Sequence, residues 1–295
     1  MVNIMRFKVF YFVFSLLIIL PGLYYLFTSG LKLGIDFTGG SLLEYRFDKK
    51  INTDDLKQTI SKDGVEIGAI TESENNTYII RTKPIEQMKI NELKNVLANK
   101  FGKVEERRIE NVGPVIGNEL KQKTLIALVL ASLAIVLYIA FSFRKIPKPE
   151  SSFRFGIAAV VALIHDILVV VGIFAILGKI WNVEVDTLFV TALLTIVGFS
   201  VHDTIVVFDR IRENLNKNTG RKFIDVANIS VVQTLGRSLN TSLTVIFVLL
   251  ALLLFGGETI KWFVVALLVG IISGTYSSIF NATALLVWWE EKLGH

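Results

Sequence analysis

Six long stretches of this chain carry almost no charge, and that restricts its fold more than any other feature. Runs of about 17 or more mostly apolar residues lie near 9–28, 124–143, 155–177, 187–208, 239–255 and 262–288, each long enough to cross a bilayer as a helix. In hydrocarbon every backbone N–H and C=O needs an internal partner, so such a segment is helical. Composition agrees: of 295 residues 52% are hydrophobic and 19% charged, and the mean hydropathy is +0.57, a balance that favours an integral membrane protein over a soluble globule. The chain has no cysteine, which removes disulfides, thiolate metal sites and thiol nucleophiles but says nothing of compartment.

The first run resembles a signal peptide in having Lys8 before it and Thr28, Ser29 and Gly30 after it. Its length of about 20 residues and the lack of an A-x-A site favour an uncleaved first helix. Pro21 and Gly22 are a candidate kink that leaves the span intact.

The net charge of +5 does not point to nucleic acid, because the basic residues gather on one side. Arg6 and Lys8, then Arg144, Lys145, Lys148 and Arg154, then Arg210, Arg212, Lys217, Arg221, Lys222 and Arg237 fall in segments that share a side, whereas the opposite short loops carry only Lys179 and Lys261. This positive-inside bias places both termini in the cytoplasm, and Trp181, Trp262, Trp288 and Trp289 fall at span ends as interfacial anchors do.

One large piece, residues 31–123, lies outside the spans. Strand-like segments at 41–47, 65–71, 77–82 and 103–111 and helical ones at 53–61 and 84–100 give the order βαββαβ, with Glu74-Asn75-Asn76 as a hairpin turn. That order matches a ferredoxin-like module. Two roles stay open for it, a rigid exoplasmic cap or a surface that touches an emerging substrate, since the fold hosts many functions. Gly39-Gly40 and Gly113-Pro114 read as hinges or as turns. The expected architecture is an α-helical membrane protein with six transmembrane helices and one exoplasmic α+β domain, divided as 1–30, 31–123 and 124–295.

Within the fourth run, residues 197–214 read VGFSVHDTIVVFDRIREN and place Asp203 among apolar residues. A carboxylate at that depth costs about 3 kcal/mol on insertion scales and is functional by default. It lies about 9 Å of helix rise before Asp209. On the same helix Thr191, Thr195, Gly198 and His202 form a stripe of small and polar groups, with Ser200 three residues before Asp203. The fifth helix carries Arg237, Asn240, Thr241 and Thr244 on one face. The sixth carries Gly270, Gly274, Ser277 and Asn281, and its G-x-x-x-G spacing permits close helix approach. These faces do not suit lipid and should meet one another or a second subunit. Asp203, Arg237 and Asn281 are expected at one level, with Arg237 either a counter-charge to Asp203 or a flank that snorkels to headgroups. The third helix places His165 and Asp166 about 16 Å of rise from Phe155. His165 and His202 read as packing donors or relay members, and Asp166 as a residue of assembly or relay.

No P-loop, H-E-x-x-H or Rossmann glycine pattern is present, so nucleotide hydrolysis, zinc catalysis and dinucleotide binding lack support and no cofactor is expected. Energy for any work must come from elsewhere, and a titratable carboxylate within a span can use an ion gradient.

Six segments together resemble the SecF family, the membrane subunit of the SecDF protein-export complex: GIDFTGGSLLEYRF (34–47), IENVGPVIGNEL (109–120), LIHD (163–166), residues 197–214, LGRSLNTSLT (235–244) and TYSSIFNA (275–282). The GIDFTGG element is shared with the sister subunit SecD, whose large second exoplasmic region this chain lacks. The resemblance implies a non-enzymatic subunit of the inner membrane that pairs with SecD in a twelve-helix unit of the resistance-nodulation-division type. Such a unit uses the proton motive force in late preprotein export through the SecYEG channel, and its partners are SecD, SecYEG, the translocating preprotein and membrane lipids, with no nucleic acid. It also implies proton passage at Asp203 and Arg237, with Asp166, His165, His202, Asn240, Thr241 and Asn281 as supporting polar residues. His202 departs from the Asn common before that Asp. Two other readings stand: half of a proton-coupled exporter of small molecules or lipids, and a passive assembly scaffold.

Overall fold

A computed structural model of the chain describes residues 3–73, 75–143, 151–217 and 220–292. Glu74 of the expected turn and the basic Arg144, Lys145 and Lys148 lie outside the described residues. The chain divides into two compact units, one of Leu33–Ile126 and the other of Met1–Lys32 with Ala127–His295.

The first unit opens with a short helix α2 (Ile35–Thr38), after which Gly39 and Gly40 take φ of 72° and 138°. Both values favour glycine, and a Cβ on Gly40 would stand 2.7 Å from the Thr82 carbonyl oxygen. The pair is therefore a turn into the sheet. The order that follows is β1 (Gly40–Phe47), α3 (Thr53–Lys62), β2 (Ile67–Ser73), β3 (Thr77–Thr82), α4 (Gln87–Phe101) and β4 (Val104–Val112). The sheet runs β2-β3-β1-β4 with every pairing antiparallel, which is the ferredoxin-like arrangement expected. Asn52 caps α3 by accepting from the Asp54 N–H at 2.8 Å, and Asp54 and Asp55 sit favourably at the positive end of the helix dipole. Asn75 and Asn76 turn the β2–β3 hairpin with φ of 55° and 56°, conformations that Asn tolerates. Alternation sends Leu43, Tyr45 and Phe47 of β1 to one face. There they meet Tyr78 and Ile80 of β3 and the apolar sides of α3 (Leu56, Ile60) and α4 (Ile90, Leu93, Leu97). Each such side chain stabilises the unit by about 1.5–3 kcal/mol through burial.

The second unit contains α1 (Lys8–Ser29), preceded by a 3₁₀ turn at Ile4–Phe7. It also contains the greater part of α5 (Pro114–Ser142), then α6 (Ser152–Trp181), α7 (Thr187–Lys217), α8 (Phe223–Phe255), α9 (Glu258–Tyr276), a π segment (Ser277–Ala282) and α10 (Thr283–Lys292). Among the described residues six stretches are long and apolar enough to cross a membrane, the sixth being α9, the π segment and α10 in succession. The chain is thus a multi-pass membrane protein. The fifth helix begins at Phe223 rather than near 239. Its first turns are too polar to register as a span, yet they are held against the end of α7 by Asn214 Nδ2, which donates to Ser230 Oγ and to Gln233 Oε1 at 2.9 Å each.

Glycines set the helix crossings. Gly22 of α1 and Gly172 of α6 meet backbone to backbone, so that a Cβ on Gly22 would stand 2.7 Å from the Gly172 Cα. Pro21 lies inside α1 without ending it. Gly270 and Gly274 of α9 face Ile196 and Ser200 of α7, the close approach that their spacing implied. At one end of the helices Phe143, Phe155, Phe208 and Phe223 cluster, with ring centroids 5.2–6.4 Å apart. Asn228 Oδ1 accepts from the Ile4 and Met5 N–H groups at 2.7 and 3.3 Å. Arg154 of α6 pairs with the fully buried Glu290 of α10, and Lys8 with Glu291.

Candidate functional site

Among the described residues two aspartates lie buried among the helices of the second unit, and their surroundings differ. Asp166 is 0% exposed and is surrounded by donors. Its Oδ2 accepts from Ser200 Oγ of α7 and from Ser277 Oγ of the π segment, both at 2.6 Å. Its Oδ1 accepts from Ser273 Oγ of α9 at 2.7 Å and lies 3.0 Å from the Nδ1 of His165. Three hydroxyls and an imidazole thus surround its two oxygens.

Asp203 is 2% exposed, yet its Oδ2 is buried with no hydrogen-bond partner among the described residues. The carboxylate has Ser242 of α8 as a hydrogen-bond partner, and His202 on its own helix and Arg237 on α8 lie within electrostatic reach. Ser242 is itself bonded to Thr275 of α9 at 2.6 Å. A buried polar atom left unpaired carries its desolvation penalty in full. Binding and losing a proton is the simplest chemistry open to such an oxygen, since the neutral form is the one hydrocarbon tolerates.

Hydroxyl groups tie Asp166 to the turn of α7 that carries Asp203. Ser200 holds Asp166, and its carbonyl oxygen accepts from Thr204 Oγ1 at 3.1 Å and Ser278 Oγ at 3.0 Å. Those two hydroxyls are themselves 2.8 Å apart. Asp203 sits in the middle of that turn. The π segment helps, because its widened turn lets the adjacent Ser277 and Ser278 both face inward, one to Asp166 and the other to α7. Such single π turns recur at functional sites.

The other expected residues distribute as follows. His165 contacts Asp166, and its Nε2 is buried without a partner among the described residues. Asn281 is buried and donates to Ser15 Oγ of α1 at 2.7 Å. His202, Arg237, Asn240 and Thr241 are exposed on this chain, as are Thr191, Thr195, Gly198 and Thr244. The expected stripe of α7 and the expected face of α8 thus point outward, and α8 turns Ser238 and Ser242 inward instead. Ser273, Ser242 and Ser278 were not singled out from the sequence. The signal that finds two of them is a small hydroxyl repeated at four-residue spacing, as in Ser238-x-x-x-Ser242 and Ser273-x-x-x-Ser277.

Residues 92–292 match the family model described as protein export membrane protein SecD/SecF, C-terminal, and residues 24–51 match the SecD/SecF GG motif. The chain belongs to the SecF family. It is 50% identical to the protein translocase subunit SecF of Thermobaculum terrenum, covering 99% of this chain and 95% of that protein. To its counterpart in Anaerolinea thermophila it is 42% identical, with 99% and 95% covered. The crystal structure of SecDF, a translocon-associated membrane protein from Thermus thermophilus, superposes with a TM-score of 0.87 at 33% identity over 98% of this chain. The match spans 39% of that SecDF chain. SecDF in the super-membrane-facing form superposes with a TM-score of 0.71 at 31% identity, over 99% of this chain and 39% of the other. The remainder of a SecDF chain is what a SecD partner would supply, and this supports pairing of this subunit with SecD.

Proposed function

We propose that this subunit couples the proton motive force to late steps of preprotein export, and that Asp203 takes up and releases the proton. The observation that carries the reading is the unpaired, buried Oδ2 of Asp203 within a membrane span. An anion is costly in hydrocarbon, and an approaching cation favours release of the proton. Arg237, within electrostatic reach from α8, supplies that cation.

The outward polar residues give the reading its second support. Thr191, Thr195 and His202 of α7 and Arg237, Asn240, Thr241 and Thr244 of α8 are exposed on this chain and would be costly against lipid. Packing by the SecD half covers them and encloses Arg237. With basic loops inside, both termini are cytoplasmic and the ferredoxin-like unit is exoplasmic, where it meets the preprotein leaving the SecYEG channel. Membrane lipids surround the remaining faces. No step of this scheme calls for a catalytic site or a cofactor.

The test is proton-gradient-dependent export in inner-membrane vesicles carrying Asp203→Asn with its SecD partner, with assembly verified by co-purification. The expected outcome is export that no longer responds to the gradient. Undiminished gradient dependence in an assembled complex removes the role assigned to Asp203.

A further inference from the structure

Asp166 is buried, acidic and unused by the scheme above, although more elements converge on it than on Asp203. We infer that Asp166 is a positioning residue for Asp203: through Ser200 it fixes the rotation of α7 about its own axis, and so the direction in which the Asp203 carboxyl points. The inference rests on the proton role proposed for Asp203 and adds what holds that group in place.

The geometry is specific about where α7 is gripped. Asp166 Oδ2 takes the Ser200 hydroxyl at 2.6 Å, and Ser278 of the π segment donates to the Ser200 carbonyl at 3.0 Å and lies 2.8 Å from Thr204 Oγ1. On the α9 side Gly274 leaves no slack, since a Cβ there would lie 3.3 Å from the Ser200 Cα and 3.5 Å from Asp166 Oδ2. The grip therefore spans 200–204, the single turn that contains Asp203. Asp166 holds α9 and the π segment through separate donors, Ser273 and Ser277, so only one of its bonds reaches α7.

Rotating a helix by about 20° moves a Cα on its 2.3 Å radius by about 0.8 Å. Misplacing a reacting group by about 1 Å costs on the order of a hundredfold in rate. A clamp on this one turn is thus enough to govern a proton-transfer group without touching the proton.

The experiment exploits the division of labour among the serines. In membrane vesicles holding the full chain with its SecD partner, the rate at which dicyclohexylcarbodiimide modifies Asp203 is read by peptide mass spectrometry, beside gradient-dependent export. Ser200→Ala cuts the tie to α7. Ser273→Ala removes a donor of the same carboxylate that reaches only α9. Asp166→Asn keeps the shape and replaces acceptor positions by donors. The expected result is a change of about tenfold or more in the Asp203 modification rate for Ser200→Ala and Asp166→Asn, a clearly smaller change for Ser273→Ala, and export falling in the same order. Equal changes for the two serine variants, or no change in either, overturn the inference and leave Asp166 as packing alone. The serine pair decides the matter where Asp166→Asn does not assemble. Should Asp203→Asn leave gradient-dependent export intact in the same vesicles, the proton role fails, whereas the ratio of the two modification rates still decides the positioning claim.

Discussion

Replacing Gly270 by Ala tests whether α9 sits on α7 as closely as the cage around Asp166 requires. An added Cβ would fall inside contact distance of Cδ1 and Cγ1 of Ile196 and 2.8 Å from its Cγ2. Ile196 is 0% exposed and, being β-branched in a helix, is confined almost wholly to one χ1 rotamer. It cannot swing aside, so the helices must separate. Overpacking of that kind costs about 1–3 kcal/mol. Ala is the better helix former by about 0.8–1.0 kcal/mol, which hides part of the loss. Gly198→Ala on α7 serves as the reference because nothing lies within 4 Å of its added Cβ, so the propensity gain cancels between the two variants. Denaturant unfolding of the purified chain in detergent should therefore place Gly270→Ala below Gly198→Ala by about 1–3 kcal/mol. Adding Ile196→Ala to Gly270→Ala should give a favourable coupling of about 0.5–3 kcal/mol in a double-mutant cycle. Equal stability of the two glycine variants would refute the close crossing, and with it the tight seat of Ser200.

Further consequences concern other parts of the molecule. The Tyr45 hydroxyl is buried with no partner among the described residues, so Tyr45→Phe should leave stability unchanged or raise it by up to about 1 kcal/mol. Burial, and then the nearby Glu106, push the Tyr45 hydroxyl well above its ordinary value. Its contribution is therefore complete below about pH 10, the ordinary tyrosine value, and is lost as pH rises above it; in Tyr45→Phe that part of the alkaline destabilisation should vanish from a pH series of unfolding curves. Arg154→Ala leaves the 0%-exposed Glu290 without its cation and should cost about 3–5 kcal/mol, most of it recovered in Arg154→Ala with Glu290→Leu, as read by thermal unfolding. Gly198→Trp should change the stability of the chain alone by no more than about 0.5 kcal/mol, yet prevent co-purification with SecD, because the open side of α7 is assigned to that partner.

The helices were legible because hydrocarbon leaves the backbone no alternative, and the ferredoxin-like order because period-2 and helical patterns alternate cleanly between 40 and 112. Hydropathy failed where a helix leaves the apolar layer. Residues 223–238 contain Asn228, Ser230, Gln233, Thr234 and Arg237, which lower the apolar signal without interrupting the helix. Burial inside the bundle was harder to read. On α8 the largest polar side chains, Arg237 and Asn240, drew attention to what proved the open face, while the packed face used Ser238 and Ser242, which fit where helices touch. Asp166 carried a recognisable cost, but its donors come from α7, α9 and a π turn. A π turn depends on one extra residue per turn, and no propensity rule marks it in TYSSIFNA.

Proton movement itself is the most direct measure of the central claim. Vesicles holding the complete complex with an internal pH-sensitive dye, given an imposed gradient and an engaged preprotein, should show proton entry that Asp203→Asn abolishes while the complex stays assembled. Proton entry at the parental rate through the Asn variant would contradict the account.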